Sequence, residues 1–214
     1  MTARADGSGK VRVIGILGGI GAGKSSVARL MAERGAQVVD ADRIAHEVLA
    51  RPAVRRALRE AFGEAVAGGD GRISPGRLAG LAFRSEEDTA RLNAIVHPPI
   101  LEEMRRKVKE LTTGTGEGLV VLDAALLMET GLDEEMCDAL LFVDAPEDVR
   151  RRRAAELRGL SEEQFRRREA AQTPLRAKAD RADVIIVNTG TLDELRRQLE
   201  ELWPTLAGAS RRTH

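Results

Sequence analysis

Residues 11–35 read VRVIGILGGIGAGKSSVARLMAERG, and their reading decides the fold. Val11–Leu17 is a short β-branched apolar run, the pattern of a buried strand. Gly18–Gly23 is a glycine-rich turn. From Lys24 to Arg34 the apolar residues Val27, Leu30 and Met31 fall at helical spacing, and Gly35 supplies a stop.

Inside the turn, Gly18-Gly19-Ile20-Gly21-Ala22-Gly23-Lys24-Ser25 fits the pattern G-x-x-x-x-G-K-[ST]. Glycines let the backbone curl so that several N–H groups converge on one phosphate chain. The helix that follows adds positive potential at its N-terminus. Lys24 supplies a point charge for the β and γ phosphates, and the Ser25 hydroxyl can ligate Mg²⁺. The bland alternative is a strand-to-helix turn with a chance lysine. The strand before it and the amphipathic helix after it meet the context the motif demands, and a dinucleotide-binding turn needs no Lys-Ser pair. Gly19, Ile20, Gly21, Ala22, Gly23, Lys24, Ser25 and Ser26 are therefore the expected ATP-phosphate cradle.

Working outward, four more short apolar runs read as strands: Gln37–Asp40, Leu119–Leu122, Ala139–Val143 and Asp183–Val187. Helical patterns separate them, at Arg43–Ala50, Asp148–Gln172 and Leu192–Trp203. Strands alternating with helices predict an α/β fold, a parallel sheet covered by helices on both faces. Residues 51–116 carry no strand signal and read as helices broken at Pro52, at Gly68–Gly71 and at Pro98-Pro99. This stretch and the arginine-rich pair at about 148–172, joined near Gly159, look like insertions within one domain.

Composition narrows the partners. Lys+Arg and Asp+Glu both number 34, so no bulk field points to nucleic acid or an anionic membrane. No apolar run approaches the length of a membrane span. The single cysteine, Cys137, permits no intrachain disulfide and fits a reducing compartment, and Met1–Lys10 lacks the apolar core of a secretory signal. A cytoplasmic protein, monomeric or weakly self-associating, is expected. The tail Gly208–His214 is small and polar, the composition of a frayed end.

Several acids stand where such sheets bind ligands, at strand carboxyl ends. Asp40 and Asp42 follow the second strand; either one accepts a proton or holds a metal, or Asp40 caps a helix. Asp123 ends the third strand as a Walker-B-like carboxylate, while Asp144 precedes a plain Ala145-Pro146 turn. The runs Arg150–Arg153 and Arg166–Arg168 are either a solvated, salt-bridged face or a lid that brings one or two arginines over the transferring phosphoryl group. His97 precedes a proline-defined helix start, and Cys137 reads as a packing residue.

Taken together, five blocks resemble the dephospho-CoA kinase family: Gly15–Ser26, Val38–Ala45, His97–Ile100, Asp123–Glu129 and Gln172–Gly190, the last including Lys178 and Asp183. The resemblance implies a P-loop kinase fold with a three-layer α/β/α core, a five-stranded parallel sheet, a helical coenzyme-binding region and a lid. It implies ATP and Mg²⁺ as cofactors and transfer of the γ-phosphoryl group to the ribose 3′-hydroxyl of dephospho-coenzyme A. It makes Asp42 the general base, places Asp40 and His97 at the acceptor, Asn188 near the adenine, and Ser25 with Asp123 at the metal. Arg152 or Arg153 becomes the lid arginine acting with Lys24. The chain departs from the family pattern at Ala125, where proline is usual, and at His46 and Leu157, where arginine is common. The competing reading is another small-molecule P-loop kinase, acting on a nucleoside monophosphate or a sugar acid.

Overall fold

A computed structural model describes residues 11–113 and 118–208. The polar start and the tail beyond Gly208 lie outside the described residues. In chain order, β1 (Val11–Gly18) leads into α1 (Lys24–Glu33) and β2 (Gln37–Asp40). Helices follow as α2 (Ala41–Leu49), α3 (Pro52–Phe62), a 3₁₀ turn at Glu64–Val66, α4 (Pro75–Ala82) and α5 (Glu86–Thr112). Then come β3 (Gly118–Asp123), α6 (Leu132–Met136), β4 (Ala139–Asp144), α7 (Glu147–Arg158) and α8 (Glu162–Ala170). The chain closes with α9 (Leu175–Arg181), β5 (Val184–Val187) and α10 (Leu192–Gly208). Two compact units result, Met1–Val39 with Val108–His214, and Asp40–Lys107.

In the first unit the strands form one five-stranded sheet in the order β2-β3-β1-β4-β5. β1 lies at the centre, with Ile14 in parallel register with Val121 on one side and Ala139 on the other. A parallel strand of this kind is buried on both faces, which is why it reads as a continuous apolar run. On one face Ile14 and Ile16 pack with Val27 and Met31 of α1 and with Leu195, Leu199 and Leu206 of α10. On the other face the missing side chain of Gly15 matters. A Cβ there would meet Leu127, Cys137 and Leu140 at 2.6–2.8 Å. Cys137 is buried, as its packing role requires. The exposed flank of β5 is covered by Gln198, whose side chain bonds both the N–H and the C=O of Val187 at 3.1 and 2.8 Å, in place of a further strand.

The strand expectations hold to within a residue at each end. Two helix boundaries need correction. Pro98 and Pro99 do not break the chain; they lie inside α5, so His97 sits mid-helix rather than before a helix start. Proline costs about 3 kcal/mol in a helix interior, but burial of Leu92, Val96 and Met104 along one stripe favours continuity across it. Pro204 lies inside α10 in the same way, and the helix continues far enough to bury Leu206. The short helices α6 and α9 carry too few residues to show a period. In the second unit, an isolated bridge between Ala67 and Ile73 closes the glycine turn at residues 68–71.

Candidate active site

The turn between β1 and α1 has the shape of an anion cradle. Gly21 and Gly23 take positive φ values of 73° and 96°, which allow the chain to double back. Gly23 is the N-cap of α1; no side chain caps the helix, and its first turn contains no acid. The positive end of the α1 dipole thus meets no acid in its own first turn. Lys24 folds back over the turn, its Nζ donating to the carbonyls of Gly18 and Gly19 at 2.9 and 3.0 Å. Ser25 is exposed, whereas the Ser26 amide is spent on the Gly23 carbonyl at 3.0 Å. Ile20 and Ala22 are buried.

Neighbouring elements hold the cradle from outside. Asn188, at the end of β5, is 6% exposed and donates its side-chain N–H to the Ala22 carbonyl at 2.7 Å. A Cβ at Gly23 would lie 2.1 Å from that same Asn188 nitrogen. The Asn188 amide donates to the Asp144 carbonyl at 2.7 Å, and its own carbonyl accepts from Arg153 at 3.0 Å. Of the two lid-arginine candidates, Arg153 therefore stands beside the cradle. Arg152 is exposed.

Asp123 ends β3, in register with Ile16 of β1, and so stands one strand over from the turn. Six residues on, Glu129 accepts from the Thr173 amide at 2.7 Å and pairs with the Lys178 ammonium at 3.3 Å. Lys178 is only 2% exposed and also donates to Gln172 at 3.1 Å. Burial pushes the Glu129 carboxyl up, but the Thr173 amide and the Lys178 charge outweigh it and hold it below its ordinary value.

In the second unit Asp40 stands at the start of α2. Its carboxylate accepts from the Asp42 and Arg43 amides at 2.8 and 3.2 Å and caps α2. Asp42, two residues on, is exposed, and its carbonyl is bonded to Nδ1 of His46 at 3.0 Å. Glu47 pairs with Arg43 and Lys107. Arg51, just past α2, and Arg106 of α5 both bond Glu103; Arg106 first, and then Arg51, hold that buried carboxyl down to about 2. His97 is half-buried on α5.

A sequence model described as dephospho-CoA kinase matches residues 12–194. The chain belongs to the dephospho-CoA kinase family. A curated dephospho-CoA kinase from Corynebacterium glutamicum is 43% identical over 88% of this chain and 94% of its own length. One from Thermobifida fusca is 41% identical over 94% and 98%. Among solved structures, TT1252 from Thermus thermophilus is 36% identical and covers 93% of this chain and 100% of its own, with a TM-score of 0.75. A dephospho-CoA kinase from Campylobacter jejuni, 21% identical and matching 92% and 97% of the two chains with a TM-score of 0.61, shares the fold.

For this dephospho-CoA kinase family member, the sequence points to the glycine turn and names Asn188 and Arg153, which the structure places beside it, but not the brace formed by Arg150. Arg150, Glu169 and the Glu129–Lys178 pair were not singled out as partners. Nothing in a run of four arginines distinguishes the one that turns inward. The usable signal is helical spacing, since Arg150 and Ala154 are the buried positions of α7, one turn apart.

Proposed function

We propose that this kinase transfers the γ-phosphoryl group of ATP to the ribose 3′-hydroxyl of dephospho-coenzyme A, giving coenzyme A and ADP. The observation that carries the reading is the uncapped α1 N-terminus with the Lys24 ammonium lying across it. Family membership supports the choice of acceptor over a nucleoside monophosphate or a sugar acid.

In this reading the triphosphate displaces the Gly18 and Gly19 carbonyls from Lys24, so the ammonium exchanges two backbone bonds for phosphate oxygens. Ser25 and Asp123 are the residues to hold Mg²⁺. They fit an ion that takes most of its oxygens from phosphate and water, and among the described residues no group of three or more His, Cys, Asp or Glu forms an all-protein cage. An ion held there would supply positive charge to the phosphate oxygens. The helical unit carrying Asp42 and His97 receives the acceptor. Asp42 takes the proton of the attacking hydroxyl, while Asp40 holds the start of α2 and so sets where Asp42 stands. Arg153, rather than Arg152, is the arginine to meet charge on the transferring group, because its neighbour Asn188 ties it to the cradle. Positioning and electrostatics then lower the barrier. A cytoplasmic setting fits the single cysteine, the buried Cys137, which permits no intrachain disulfide.

Incubation with ATP, Mg²⁺ and dephospho-coenzyme A, followed by mass spectrometry, tests the reading. One added phosphoryl group on the ribose is expected. Faster turnover with a nucleoside monophosphate or a sugar acid in the same panel would overturn it.

A further inference from the structure

Arg150 is a charged side chain that the chemistry above does not use, yet it is only 3% exposed. Its Nε donates to the Ala145 carbonyl at 3.1 Å, and its NH1 lies 3.5 Å from the Ile20 carbonyl of the cradle. The same NH1 pairs with Glu169 of α8. Its guanidinium carbon sits 5.5 Å from the centre of the Phe165 ring, also on α8. The cradle has no spare room on this side. A Cβ on Gly19 would lie 2.6 Å from Arg150 NH1, and one on Gly21 would lie 2.2 Å from the Arg150 carbonyl oxygen. Around these contacts Ile20 packs with Ala154 and Phe165 in a small apolar cluster of its own, flanked by Leu160.

One residue thus meets two of the cradle glycines, by its side chain at Gly19 and its backbone at Gly21, while its charge is neutralised from the next helix. We infer that Arg150, with Glu169 as its counter-ion, is a positioning residue that holds the Gly19–Ile20 turn against the α7–α8 helix pair, so that this pair sets part of the affinity for nucleotide. The physical reason is entropic. A turn that must present several amides at once binds more tightly when it is already held in shape. Removing Glu169 leaves a buried guanidinium without its counter-charge, and the two helices lose the bond that draws them onto the turn. Packing of Ile20 alone does not do this, because an apolar contact fixes distance but not the direction of a carbonyl.

The inference rests on the nucleotide-binding reading of the turn, and its test separates the two. Calorimetric titration of the full chain with ADP and Mg²⁺ is carried out on the wild type, Arg150→Gln, Arg150→Lys and Glu169→Gln. Arg150→Gln is expected to weaken ADP binding about tenfold and Glu169→Gln about fivefold, in the range measured for coupled neighbours. Arg150→Lys recovers part of the loss, since an ammonium can face Glu169 but cannot also span to Ala145. In turnover assays KM for ATP rises while kcat changes less. ADP affinity within about twofold of wild type in both neutral variants, alongside lowered thermal stability, would overturn the inference and leave Arg150 a packing residue. A wild type that does not bind ADP would instead remove the nucleotide reading itself. Should Arg150→Gln not fold, Glu169→Gln decides by the same criterion.

Discussion

α1 and α2 each follow a strand, and they begin in opposite ways. α1 starts at a glycine with no capping side chain and no acid in its first turn. α2 starts at Asp40, whose carboxylate takes the amides of Asp42 and Arg43. A helix N-terminus without a capping side chain leaves its amides and dipole available to an anion; a capped one satisfies them within the chain. In the proposed function the first grips the nucleotide by its backbone, and the second presents the side chain that follows its cap, Asp42. α2 is also fixed at its far end, through Arg51 and Glu103. The same local geometry thus yields a binding device or a support, depending on whether a side-chain oxygen fills the helix end.

The contrast can be broken most severely at Lys24. Lys24→Ala should reduce kcat about 10³-fold or more, because it removes charge where the transferring group develops it. Retention of a tenth of wild-type turnover would mean that α1 does not hold the phosphates. On the other helix, Asp42→Asn should lower kcat about 10²- to 10⁴-fold while leaving ADP affinity near wild type. Steady-state kinetics beside calorimetry separate the two quantities, and an unchanged kcat removes Asp42 as the base.

Gly23→Ala tests why the first helix lacks a cap. The new methyl group meets Asn188 at 2.1 Å in a backbone with φ of 96°. A stability loss of about 2 kcal/mol is expected from such a left-handed residue, read by denaturant unfolding, together with weakened ADP binding. Asp40 sharpens the comparison from the other side. Asp40→Ala should cost about 1 kcal/mol and lower kcat, whereas Asp40→Asn, an equally good cap, should keep both near wild type. A large kcat loss in Asp40→Asn alone would mean that the charge contacts the acceptor.

The smallest effect belongs to the far end of α2. Glu103 is held at about 2 against an ordinary 4.5, so the folded state binds its proton less readily than the unfolded state. Its stabilisation is complete above the ordinary value and fades as pH falls from there toward 2. Thermal melts should therefore show the Tm gap between wild type and Glu103→Gln narrowing with acidification. A gap that does not narrow would show that Glu103 contributes no pH-linked stability.

Much of this was legible in the residues because it rests on local rules. The apolar run of β1, the glycine turn and the Lys-Ser pair are contiguous, so period and motif suffice to place a cradle. Asp40 is equally readable as a cap or as a ligand, since both roles put an acid at a helix start; the bonds to the Asp42 and Arg43 amides show the cap. The paired prolines of α5 were misread because a local penalty was weighed without the burial that outweighs it. The partners of Arg150 and Lys178 had no local signature, since Glu169 and Ile20 for one and Glu129 for the other are distant in sequence; only the helical spacing of Arg150 with Ala154 hints at which arginine turns inward.

By itself, the sequence determined the parallel sheet, the position of the phosphate cradle and the acids at the strand ends, because these follow from periodicity and from backbone freedom within a few residues. Only the tertiary structure decided which arginine turns inward against the cradle, which acid caps a helix and which lysine is buried. Those outcomes depend on which groups from separate segments meet, and on whether burying a charge there is compensated by a partner.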